Sequence, residues 1–154
     1  MKNFLSVLKI SLYITAGIFV LNFLINPGSS LVWNDLLERL GVHFIFAFVL
    51  TAVNAYFNDY ASALYSWEKE TQKRLWTGVI GSIVLTMIAY ALVRWFVQVV
   101  LYRVPFEDFL ASETVIDYVI TLIVTLFISA VVHAFYFYKA LQETKVKEQK
   151  IIAG

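Results

Sequence analysis

The chain has 154 residues, 60% of them hydrophobic and 15% charged, with a formal net charge of +1 and no cysteine. So apolar a composition excludes an ordinary soluble domain and marks an integral membrane protein. The near-zero charge gives no nucleic-acid surface, and the missing thiols exclude disulfides, thiolate zinc sites, iron–sulfur clusters and cysteine nucleophiles.

Four stretches carry no Asp, Glu, Lys or Arg: Ile10 to Asn34, Leu40 to Asn58, Leu75 to Val93 and Tyr118 to Tyr138. A hydrocarbon core of about 30 Å needs roughly 20 apolar residues in a helix, so each stretch is long enough to span. The expected fold is an all-α integral membrane protein, a four-transmembrane-helix bundle over residues 1–138 with helices at about 4–25, 41–60, 75–101 and 115–138. A charged cytoplasmic helical linker over 139–154 follows.

The first apolar run exceeds a signal-peptide core and lacks a small-x-small cleavage site, so it reads as a retained membrane helix. Asn26, Pro27 and Gly28 end it near Ile25. In the following "SSLVWNDLLERLG", a Ser cap precedes Val32, Trp33, Leu36, Leu37 and Leu40 at helical spacing. That pattern fits a short helix on the membrane surface and the tilted start of helix 2 equally well.

Orientation follows from the basic residues, which favour the cytoplasmic side of short loops. Lys2, Lys9, Lys69, Lys73, Arg74, Lys139, Lys145, Lys147 and Lys150 fall on one side of the four helices, and Arg39 and Arg103 on the other. Glu107, Asp108, Glu113 and Asp117 crowd the last loop of the poorer side. Both termini are therefore expected in the cytoplasm. Trp67, Trp76, Tyr65 and Tyr138 would mark the inner interface, and Trp33, Trp95, Tyr102 and Tyr118 the outer one.

A charge inside a membrane helix needs a partner, a cavity or the interface. Arg94, about 27 Å along helix 3 from Trp76, lies near the outer boundary, where it either snorkels or pairs with Asp117 or Glu113. Asn54 and Asn58, four residues apart on helix 2, share a face suited to interhelical hydrogen bonds. Gly78, Ser82 and Thr86, with Gly81 beside them, form a ridge of small residues for a bundle or dimer contact. The two histidines, His43 and His133, differ in depth by about 18 Å and do not share a metal. Each reads as a hydrogen-bonded bundle residue, and His43 is also a candidate pH sensor.

The acidic "RVPFEDFLASETVID" matches no ion-binding loop, and its lack of lysine fits a translocated, solvated face. No phosphate loop, paired histidine motif or nucleophile elbow occurs, and no internal repeat supports an inverted-repeat transporter. No catalytic, cofactor-binding or metal-binding residue is assigned.

Between Phe135 and Ala153 neither Pro nor Gly interrupts the chain, although its character changes from aromatic to Lys/Glu-rich. Glu143 and Lys147 form a favourable i,i+4 pair, and a register through Tyr138, Leu141, Lys145, Glu148 and Ile152 is an imperfect heptad. A solvated tail with a basic bias toward anionic lipid fits the same residues. The four-helix order, the loop "YSWEKETQKRLWTGVIGSIVLTMIAY" and the exit "ISAVVHAFYFYKALQETKVKEQKIIAG" resemble the amino-terminal membrane region of LytS-like bacterial sensor histidine kinases. The resemblance implies a homodimeric sensor and signal-transmitting domain of a two-component system in the bacterial cytoplasmic membrane. Its downstream kinase domain and response regulator would be the partners. No phospho-accepting histidine motif or nucleotide-binding box occurs in the chain, so the catalytic part would lie outside these residues. A stand-alone four-pass accessory protein or a small transporter, with Asn54, Asn58, Arg94 and Gln98 lining a path, is the alternative.

Overall fold

The computed structural model describes residues 2–25, 33–66 and 68–154. The turn at Asn26, Pro27 and Gly28, the Ser cap of the first loop, and the interfacial roles given to Trp33 and Trp67 concern residues or side chains outside those described. Among the described residues all regular structure is helical, with α1 Lys2–Ile25, α2 Trp33–Leu64, α3 Thr71–Trp95, a π-helical segment Phe96–Leu101, α4 Phe106–Ser112 and α5 Val115–Ala153. Four helices are long and apolar enough to cross a membrane: Phe4–Ile25, Asp35–Leu64, Thr71–Leu101 and Val115–Ala153.

The helices outrun the apolar runs that announce them. α2 begins at Trp33 rather than 41, so "WNDLLERLG" is the first part of α2 and not a separate surface helix. Leu36, Leu37, Glu38, Arg39 and Leu40 are strong helix formers, and a single Gly41 costs only about 1 kcal/mol. α3 starts at Thr71, four residues before its apolar run, because Gln, Lys and Arg extend a helix as readily as Leu does. At its other end the expected regular helix to 101 gives way at Phe96 to a π-helix, closed by Tyr102 N–H donating to the Val97 carbonyl at 2.9 Å. Arg103 then adopts φ 56°, a left-handed turn residue without being glycine. Pro105 pre-sets the backbone for α4, and Glu107 and Asp108 in its first turn favour the positive end of the helix dipole.

α3 and the π-helical segment that continues it carry two opposed stripes. Arg74, Gly78, Ser82, Thr86, Ala89, Val93 and Val97 recur every three or four residues and are buried. Trp76, Ile80, Val84, Ile88 and Leu92 recur every four and are exposed. Small and polar side chains lie inside and large apolar ones outside, the reverse of a helix folded against water.

The chain divides into two compact units, residues 1–55 with 86–114, and residues 56–85 with 115–154. In the first, Ser11 Oγ donates to the Val7 carbonyl at 2.7 Å and lies 3.4 Å from the Ala47 carbonyl, joining α1 to α2. Phe4 meets Phe48 edge-on with centroids 6.0 Å apart, and Phe46 packs on Tyr90 at 5.6 Å. Phe109 of α4 is buried. In the second unit, Ala61 of α2 is fully buried and the Phe57 ring fills the space a side chain at Gly81 would need.

Candidate functional site

Each unit holds a polar cluster built on α3. In the first unit Arg94 directs Nε at Glu113 Oε1, 2.8 Å away, and Nη1 at the Tyr90 hydroxyl, 3.3 Å away. The guanidinium also lies 5.8 Å from the Tyr90 ring centroid. The two charged side chains keep only 18% and 15% of their surface exposed, so the pair is partly desolvated and stronger than a surface pair of the same length. Glu113 is placed by the end of α4, where its N–H donates to the Leu110 carbonyl. Nearby in sequence, the Tyr102 phenol is hydrogen-bonded to Glu38, which holds its pKa above the ordinary tyrosine value. Between α2 and α3, Asn54 Nδ2 donates to Thr86 Oγ1 at 2.8 Å while also donating to the Leu50 carbonyl at 2.9 Å.

In the second unit Arg74 is fully buried. Its Nη2 donates to the Asn58 side-chain oxygen, to the Asn58 carbonyl at 3.1 Å and to Ser62 Oγ at 2.9 Å. Asn58 and Ser62 stand one turn apart on α2, so a single guanidinium spans both rungs. One turn further along α3 is Gly78. A Cβ there would lie 2.8 Å from Arg74 Nη1 and would overlap the His133 ring at Nε2. The glycine is what admits both side chains to the same place. His133, buried on α5, sets Nδ1 2.7 Å from the Ser129 carbonyl and 3.2 Å from Ser129 Oγ. Because a carbonyl only accepts, Nδ1 carries the proton in the neutral ring, and Nε2 faces the Gly78–Arg74 side without one.

The residues singled out from sequence distribute as follows. Arg94 and Glu113 come together; Asp117, half-buried in the first turn of α5, offers its carbonyl to Thr121 Oγ1 at 2.8 Å. Asn54 and Asn58 both reach α3 side chains, as hydrogen-bonding residues on one face of α2 are placed to do. Gly78, Ser82 and Thr86 are buried by the chain's own side chains, so this part of the ridge serves contact within the bundle. His43 is half-buried, with Nδ1 2.6 Å from the Arg39 carbonyl of its own helix. In the sequence Arg74 stands out only as one of the basic residues between α2 and α3. Its place in the cluster had a faint signal, the four-residue steps Asn58 to Ser62 and Arg74 to Gly78 on either side of a short turn.

In the link between α2 and α3, Tyr65 N–H donates to the Ala61 carbonyl and Glu70 N–H to the Ser66 carbonyl. From it Glu68 reaches α5, accepting from Thr144 Oγ1 at 3.5 Å and lying 3.7 Å from Lys147 Nζ. Both charges are largely exposed, so this contact contributes little. Among the described residues no group of three His, Asp or Glu side chains is arranged to hold a metal. No family model, no curated protein and no solved structure matches the chain.

Proposed function

We propose that this four-pass protein is the membrane sensor and signal-transmitting domain of a two-component sensor histidine kinase. It works as a homodimer in the bacterial cytoplasmic membrane with both termini in the cytoplasm. The observation that carries the reading is α5. It runs for 39 residues without a break, apolar at first and Lys/Glu-rich at the end. At 1.5 Å per residue it is about 58 Å long, roughly twice the hydrocarbon core. Once the apolar part spans, the rest projects into the cytoplasm as a stiff rod with no glycine or proline at which a rotation or a piston stroke would be lost.

The polar clusters supply what such a rod needs at its base. The Arg74 cluster ties α2 and α3 and seats α5 through His133, so a change in helix packing reaches the rod directly. The transporter alternative is the weaker one, because Asn54, Asn58 and Arg94 are engaged with side chains of other elements instead of lining a path.

The test is a chimera that joins residues 1–154 in helical frame to a reporter histidine kinase domain, with one to four alanines inserted after Lys139. Autophosphorylation in membranes is expected to rise and fall with the roughly 100° rotation each residue adds, and Pro in place of Thr144 is expected to abolish that dependence. Output that is indifferent to insertion length and to the proline would refute the reading.

A further inference from the structure

We propose that His133 is a proton-operated latch between α3 and α5, closed while its ring is neutral and loosened when the ring takes up a second proton. The latch is a matter of placement. Nδ1 is already committed as a donor to the Ser129 carbonyl, so an incoming proton goes to Nε2. Nε2 is the atom pressed over Gly78, on the same spot that Arg74 Nη1 approaches. A guanidinium stays protonated throughout the physiological range, so a second proton on the ring sets two cations side by side in a buried site.

The surrounding groups do not relieve that repulsion by titrating over the same range. From α2, Arg74 is met by Asn58 and Ser62, which are uncharged; the acidic Asp59, next along α2, is exposed. From α5, Ser129 is uncharged, and Tyr136 lies within electrostatic reach of Arg74. A phenol is neutral wherever imidazole titrates. Imidazole gains a proton on acidification while the guanidinium keeps its charge, so His133 is the proton-responsive member beside a fixed cation.

Loosening acts on one contact in particular. Gly78 lets the His133 ring of α5 lie against α3, filling the space a side chain would take. Release of the ring lets α5 shift or rotate against α3 without breaking the Arg74 bonds to α2. That this shift changes signal output rests on the reading of α5 as the transmitting helix; the latch itself does not depend on it.

The test uses the whole chain in lipid nanodiscs, with His43→Gln so that histidine ring signals belong to His133. Between about pH 8 and about pH 5 the 13C ring shifts of His133 are expected to titrate, and the thermal midpoint to fall in step by about 3 °C or more. In His133→Gln, whose amide still donates to the Ser129 carbonyl, that fall is expected to vanish. A ring that keeps one protonation state across the range overturns the proposal, as does a midpoint that falls equally in His133→Gln. Should His133→Gln fail to insert or fold, the ring titration and the midpoint of the His43→Gln chain decide alone. A chain that passes here but fails the alanine-insertion test has a latch without a signalling role, and the reverse result leaves a transmitting helix set by some other stimulus.

Discussion

Arg94 and Arg74 stand twenty residues apart on the same helix, and they are satisfied in opposite ways. Arg94 meets a carboxylate across a gap of 2.8 Å at a site that keeps some contact with solvent. Arg74 is fully buried, and its bonds to α2 go to an amide, a carbonyl and a hydroxyl. A carboxylate can be exchanged for another anion or for water when the site is half open. A set of neutral acceptors that must all point at one guanidinium works only if two helices and a turn are already in place. The first arrangement fastens a loop to a helix end; the second specifies how three helices meet.

The largest expected effect tests the second arrangement. Gly78→Ala puts a methyl group where the His133 ring and Arg74 Nη1 lie, and should cost about 2–3 kcal/mol in unfolding from mixed micelles. The same substitution at Gly17, where a Cβ would meet nothing, serves as the control and should be neutral or slightly stabilising. Equal responses at the two glycines would remove the close packing assigned to the Arg74 cluster.

A double-mutant cycle on Arg94→Ala and Glu113→Ala should return a coupling of about 1 kcal/mol, reduced at high salt because the pair is not wholly shielded. Additivity within error would make the contact decorative. The smallest effect is expected at Asn54→Ala, about 0.6 kcal/mol, equal within error to that of Thr86→Val and not additive with it, since the two share one hydrogen bond. Thermal midpoints of the two single variants and the double variant check this.

Helix number and approximate position were legible because a membrane span is announced by what it lacks: a run without charge is visible to any reader of the chain. Helix ends were not, since Thr71 to Arg74 and also Asn34, Asp35, Glu38 and Arg39 are polar yet helical, and absence of charge carries no information about them. The Arg94–Glu113 contact could be anticipated because opposite charges near one boundary leave few partners. Arg74 could not, since its acceptors include a backbone carbonyl and its burial depends on a ring from α5 that lies 59 positions away in sequence. A basic residue beside a loop looks the same whether it faces lipid headgroups or the interior. The π-helical turn at Phe96–Leu101 was likewise invisible, for nothing in "FVQVVL" departs from an ordinary helical composition.

The two stripes of α3 imply a rule for how such a chain could drift over generations. Along Trp76, Ile80, Val84, Ile88 and Leu92 a replacement has only to be greasy, and Ile, Leu, Val and Phe could trade places freely. Along Gly78, Ser82, Thr86 and Ala89 a replacement has to be small, and hydroxyls are accommodated at Ser82 and Thr86. Related chains should therefore scatter in hydrocarbon shape on one side of this helix and in polarity on the other, with volume held constant only where the helices touch.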